Sequence, residues 1–197
     1  MSEQSQSAGG APNAVVIGAS AGAIQALLHI LPALPEDYTL PVLIVVHVPA
    51  GRRSELTALF AAKCRLPVAE GEDKEPILPG TVTFAPPDYH MLVEPGGTIS
   101  LSRDEQVFFS RPSIDVLFES AADAYGPALV GVVLTGANED GAQGLAAVAQ
   151  AGGMTLVQDP ASAYARAMPE AALKACRAAR RMSLDGIVAA LLAAGRR

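Results

Sequence analysis

Short, wholly apolar runs alternate along the chain with longer stretches whose apolar residues recur at helical spacing. Ala14-Val15-Val16-Ile17-Gly18 is the first such run and reads as a buried strand. A helical stretch over residues 23–31 follows and is stopped by Pro32 and Pro35. Val42-Leu43-Ile44-Val45-Val46-His47 is continuous and β-branched, the pattern of a strand covered on both faces. Residues 54–63 read as a second helix, with Ser54 as its N-cap. Strand, helix and strand in this order predict a right-handed βαβ unit.

The pattern changes over residues 76–101. Thr81-Val82-Thr83-Phe84-Ala85, residues 89–93 and residues 98–101 are short runs. Pro86-Pro87-Asp88 and Pro95-Gly96-Gly97 separate them as turn signals, which predicts a meander of antiparallel strands added to the sheet. Residues 103–112 read as an irregular loop. Alternation then resumes: a helix over 113–125 capped by Ser113, a strand over 129–134 and a helix over 141–151. A strand over 154–157 and helices over 168–177 and 184–194 complete the chain. No unit of 20–50 residues repeats, which excludes a solenoid. The fold class predicted is α/β: a three-layer α/β/α sandwich with a mostly parallel sheet and an antiparallel portion.

Composition narrows the function classes. Of 197 residues, 50% are hydrophobic and 17% charged, which fits a globular domain and not a disordered chain. There is no Trp and only 5% aromatic residues, consistent with Ala-rich helices packed on a Val/Leu/Ile sheet. The net charge of -6 argues against nucleic acid as a partner. Residues 1–13 are Ser/Gln/Gly-rich without a basic start, so they read as a disordered tail and not a signal peptide; residues 14–197 read as one domain. The longest apolar run, around 41–46, is too short to insert in a membrane. Cys64 and Cys176 read as free thiols of a reducing cytoplasm.

Ligands of such folds bind beyond the carboxyl ends of the parallel strands. Three segments meet there: Gly18-Ala19-Ser20-Ala21-Gly22-Ala23, His47-Val48-Pro49, and Thr135-Gly136-Ala137-Asn138-Glu139-Asp140-Gly141. A dinucleotide fingerprint would need Gly where Ser20 stands and an acid where His47 stands. A nucleophile fits better, because small neighbours allow a tight turn at Ser20 and the following helix offers free N–H groups. Taken singly, Ser20 reads as a cap, His47 as a core residue and Asp140 as a loop residue. Together on one sheet edge they fit nucleophile, base and orienter of the base. Their chain order matches none of the α/β-hydrolase, chymotrypsin or subtilisin orders.

An ordered set of motifs then resembles the catalytic domain of the chemotaxis protein-glutamate methylesterases, the CheB family. It runs through residues 16–22, Val46-His47-Val48-Pro49, Thr83-Phe84-Ala85-Pro86-Pro87-Asp88-Tyr89-His90-Met91 and Arg111-Pro112-Ser113-Ile114-Asp115. It continues through Leu134-Thr135-Gly136, Asp140-Gly141-Ala142-Gln143-Gly144, Gln158-Asp159-Pro160 and Met168-Pro169. The resemblance implies a triad of Ser20, His47 and Asp140, with backbone N–H groups of Ala21 and Ala137 as the oxyanion hole. It implies hydrolysis of glutamate γ-methyl esters, and deamidation of glutamine, on cytoplasmic helices of chemoreceptor-like proteins, with no metal or organic cofactor. His90, Arg166 and Met168 are expected to line the cleft, and Arg52, Arg53, Arg111 and Arg166 to form a basic rim for acidic receptor helices. Ala21 stands where the family commonly has Thr, and Ala137 and Asn138 replace Met and a Gly that would suit positive φ. These departures keep open a second reading, a non-catalytic binding module of a signalling pathway. Family members usually carry an N-terminal receiver domain; only a short polar stretch precedes the first strand here, so control is expected from expression or a separate regulatory protein.

Overall fold

The computed structural model describes residues 13–47 and 55–196. The expected tail over 1–12, Ser54 as a cap, and Arg52 and Arg53 lie outside the described residues. Asn13 already belongs to the fold, donating its N–H to Ala128 O at 2.7 Å.

Seven strands form one sheet in the order β3-β4-β2-β1-β7-β8-β9, and every pairing in it is parallel. At its centre lie β1 (Ala14–Ala19), β2 (Val42–Val46), β7 (Leu129–Val133) and β8 (Met154–Gln158). These are the continuous apolar runs of the sequence, and β1, β2 and β7 are buried along their whole length. Alternate residues of β1 face opposite layers. Val15, Ile17 and Ala19 pack with α1 (Ala23–Ile30), with Phe60 of α2 (Glu55–Ala61) and with α6 (Leu184–Ala194). Ala14 and Val16 face α3 (Ile114–Tyr125), α4 (Ala142–Gln150) and α5 (Ala167–Ala175). The three-layer α/β/α sandwich predicted from the sequence is the fold observed.

The middle of the chain corrects the expected meander. β4 (Val82–Phe84) is a parallel strand inside the main sheet, pairing with β2 on one side and β3 (Val68–Glu70) on the other. Only β5 (His90–Val93) and β6 (Ile99–Ser102) are antiparallel, and they make a separate two-stranded sheet. Met91, Val93 and Ile99 of this hairpin join the α3 layer. Burial there, not edge pairing, recruits the hairpin. The edge strands β3 and β9 (Arg180–Met182) have no counterpart in the sequence reading, being three residues long with no buried residue in either.

The chain starts at the centre with β1, builds outward through β2, then crosses back to β7 on the other side of β1. The loops after β1 and β7 therefore part company at the topological switch point, where an open α/β sheet leaves a crevice.

Candidate active site

The segments that follow β1, β2 and β7 each deliver one group to this edge of the sheet. Ser20 follows β1 and is held by its N–H to Thr135 O at 2.9 Å. Its own carbonyl accepts from Ala23 N at 2.9 Å, closing the turn into α1. Gly22 completes that turn at φ 84°, and a Cβ there would lie 2.6 Å from Tyr164 Cβ. Only glycine meets both the left-handed backbone and the close approach. His47 follows β2 directly, its N–H donating to Ala19 O at 3.2 Å. Asp140 lies on the β7–α4 loop, and Gly141 after it takes φ 94° as the N-cap of α4.

Asp140 is wholly buried and its carboxylate is saturated. Oδ1 accepts from Ser113 Oγ and Asp115 N, each at 2.9 Å. Oδ2 accepts from Ile114 N at 2.7 Å and from His47 Nε2 at 2.8 Å. Three of these four donors belong to the first turn of α3, where the helix dipole also favours an anion. Burial alone would raise the Asp140 carboxyl, but the bonds from His47, Asp115 and Ile114 together hold it below its ordinary value. An ionised carboxylate only accepts, so His47 Nε2 carries the proton and Nδ1 is the basic nitrogen. Nδ1 faces Asn138 Nδ2 at 3.5 Å, while Asn138 Oδ1 accepts from Asp140 N at 3.2 Å. Asn138 does not take positive φ, so the asparagine fits its loop without left-handed backbone.

Ser20 and His47 line one cleft of about 370 Å³, with apolar walls from Ile24, Val46, Leu56 and Leu59 and a carboxylate from Glu55. No hydrogen bond joins Ser20 Oγ to the imidazole among the described residues. The N–H groups of Ala21 and Ala137 donate to no acceptor among the described residues. The arrangement offers a hydroxyl, a base oriented by a buried anion and two unused backbone donors, which is the equipment of acyl transfer.

His90, Met168 and Arg166, expected to line the cleft, are not among the residues that line this one. His90 is 2% exposed; its Nδ1 accepts from Ser113 N at 3.1 Å and its Nε2 donates to Glu105 O at 3.0 Å. It braces the start of α3 from behind. Met168 is fully buried, its side chain pressed against Gly136. Arg166 is exposed and pairs with Glu170 at 3.7 Å. Arg111 is not a free rim cation either: it grips Asp88 Oδ1 through Nε and Nη2 and donates to the carbonyls of Arg103 and Asp104. Sequence reasoning foresaw Ser113 as the cap of α3, and its hydroxyl does accept from Val116 N at 3.4 Å. It missed that the same hydroxyl and the next two N–H groups hold Asp140; the signal available was the order Pro112-Ser113-Ile114-Asp115, a helix start with a buried acid in its first turn.

Comparison with known proteins agrees with this geometry. The profile of the family described as CheB methylesterase matches residues 15–191. A protein-glutamate methylesterase/protein-glutamine glutaminase of Chromohalobacter salexigens is 40% identical over 181 residues, covering 90% of this chain and 51% of that protein. A Leptospira interrogans protein provisionally given the same double name is 47% identical over 174 residues, 88% of this chain and 90% of its own length. The chain thus spans nearly all of one relative and about half of the other. The crystal structure of the Thermotoga maritima CheB methylesterase catalytic domain superposes with a TM-score of 0.87 at 28% identity, over 93% of this chain and 99% of that one. With matched motifs, matched fold and matched length of domain, this chain belongs to the CheB methylesterase family.

Proposed function

We propose that residues 14–197 form a serine-dependent protein-glutamate methylesterase in which Ser20 is the nucleophile, His47 the general base and Asp140 the orienter of the base. The observation that carries this reading is the Asp140 carboxylate: four donors saturate it, and one of them is the imidazole that shares a cleft with Ser20. In the first step Ser20 Oγ attacks the γ-ester carbonyl while His47 Nδ1 takes its proton. The carbonyl oxygen becomes an oxyanion, received by the Ala21 and Ala137 N–H groups. Collapse expels methoxide, which leaves as methanol with the proton from His47. Water, deprotonated by the same nitrogen, then releases the glutamate and restores Ser20. A glutamine side chain passes through the same steps with ammonia as leaving group, the second activity in the names of the relatives.

The substrate proposed is a methylated cytoplasmic helix of a chemoreceptor-like protein, with a separate protein as regulator. A cytoplasmic location accords with the free thiols of Cys64 and Cys176. Among the described residues no helix is long and apolar enough to cross a membrane. The test is methanol release from a methylated receptor fragment, with the freed carboxylate located by peptide mass spectrometry. Methanol and glutamate in equal amounts are expected; a folded protein that binds the fragment and releases none would favour the binding-module reading.

A further inference from the structure

Thr135 stands at the end of β7 with 1% exposure and makes more polar contacts than its role as a strand terminus requires. Its carbonyl accepts from Ser20 N at 2.9 Å. Its N–H donates to Oε1 of the buried Gln158 at 2.9 Å, on the neighbouring strand end. Its hydroxyl donates toward Ala21 O at 2.8 Å, with Ala165 O a second acceptor at 3.2 Å, and accepts from Ala165 N at 2.9 Å. One residue therefore ties together the nucleophile turn, the end of β8 and the segment that leads into α5. The last tie is doubled, because Gly136 N donates to Ala165 O and Met168 N to Gly136 O, each at 3.0 Å.

These bonds act on the peptide planes that flank the two unused donors. The plane before Ser20 is held by Ser20 N on Thr135 O, and the plane after Ala21 by Ala21 O under the Thr135 hydroxyl. The Ser20–Ala21 plane between them is held by Ser20 O on Ala23 N. With all three planes tethered, the Ala21 N–H has one direction. On the other loop, Gly136 is held on both its N–H and its carbonyl, so the Gly136–Ala137 plane, which carries the Ala137 N–H, is held as well. A backbone donor stabilises a developing oxyanion only if it is aimed before the reaction begins.

We infer that Thr135 is the positioning residue of the oxyanion site: its hydroxyl locks the Ser20–Ala21 turn to the Thr135–Ala137 turn so that both N–H groups converge on one oxygen. The inference rests on the proposed acyl transfer at Ser20 and adds to it a specific dependence on a hydroxyl that touches neither substrate nor base.

Thr135→Ser and Thr135→Ala both remove the methyl group and differ only in the hydroxyl. The two are compared on a small activated ester for kcat and KM, and for affinity toward a boronic acid that forms a tetrahedral adduct with an active serine. Expected is a Thr135→Ser protein within a few-fold of wild type, and a Thr135→Ala protein reduced about 100-fold in kcat at nearly unchanged KM, with boronate affinity reduced in parallel. Thr135→Val, which keeps the volume, replaces Thr135→Ala if that variant does not fold. Equal losses in the Ser and Ala variants, or a loss confined to KM, overturn the inference. Labelling of wild-type Ser20 by a fluorophosphonate separates the two levels: no labelling defeats the proposed function, whereas labelling with an unaffected Thr135→Ala protein defeats this inference alone.

Discussion

A single buried carboxylate, Asp140, decides what His47 can do. Because Asp140 engages Nε2, the nitrogen left to accept a proton is Nδ1, which faces Asn138. Ser20→Ala and His47→Ala should each reduce ester hydrolysis on the order of 10⁴-fold, and Asp140→Asn severely, measured as kcat/KM on proteins whose circular dichroism is unchanged. A second buried acid, Asp115, lies in the first turn of α3, and its own N–H donates to Asp140 Oδ1. Burial raises the Asp115 carboxyl to about 6; bonds from Gly144 and Gly141 N–H oppose that rise, and the charges of Asp140 and Glu119 add to it. The folded state thus holds the Asp115 proton more tightly than the unfolded chain, whose value is about 3.9. Its contribution to stability is full below about pH 4 and is lost as pH rises through about 6. Asp140, held low, has the opposite sign: its contribution is present above about pH 4 and lost as pH falls. Asp115→Asn removes the first dependence and leaves the second. Between pH 4.5 and 7.5 the variant should gain on the order of 1–3 kcal/mol relative to wild type in urea unfolding; a difference that does not change with pH contradicts the assignment.

At the scale of elements, the turn over Val107–Ser110 places two consecutive non-glycine residues in the left-handed region. Val107 and Ser110 exchange both backbone hydrogen bonds, so Phe108 and Phe109 form a two-residue hairpin turn. Both take positive φ, 49° and 59°, a conformation that suits Asn and Gly and costs phenylalanine. Phe109 is 97% exposed and gains no packing in exchange. Replacing the pair by Phe108→Asn and Phe109→Gly should raise stability by about 1 kcal/mol, a Tm increase of about 2–4 °C by calorimetry. How far elements could be read from the sequence follows from their burial. β1, β2, β7 and β8 are legible because strands covered on both faces need unbroken apolar runs. β3 and β9 are not, because a three-residue edge strand needs no such run. β4 was legible as a strand but not in its direction, since the turn signals after it are those of the β5–β6 hairpin that swings out of the sheet. That Ser20, His47 and Asp140 come close together could be read from the segments that follow β1, β2 and β7; their roles belong to the proposed function. His90 was misplaced because its partner, the N-terminus of α3, is distant in sequence, and Thr135, though part of a quoted motif, received no role because its hydroxyl's partners, Ala21 and Ala165, are far from it in the chain.

For the whole molecule, the site depends on how closely the α3–α4 layer sits on the sheet. The first turn of α3 can reach Asp140 only because glycines leave room for it. A Cβ on Gly144 would lie 2.6 Å from Phe118 Cβ and 3.0 Å from Asp115 Cα, and one on Gly18 would overlap the Ile114 side chain. Gly144→Ala should therefore part the two helices, destabilise the fold by about 1–3 kcal/mol and lower kcat by loosening the donors of Asp140. Chemical unfolding and turnover on a small ester check both halves of that expectation. The second core, between α1, α2, α6 and the opposite sheet face, should be untouched by the change.

Three segments far apart in sequence meet at one edge of the sheet, and the reaction proposed there runs through an acyl-enzyme on Ser20. Rapid quenching of the reaction with a slowly hydrolysed activated ester, followed by digestion and mass spectrometry, tests it most directly. One acyl group is expected on the peptide that contains Ser20, absent from Ser20→Ala and formed only slowly by His47→Ala. An acyl group on another residue, or a Ser20→Ala protein that turns over at the wild-type rate, would contradict it.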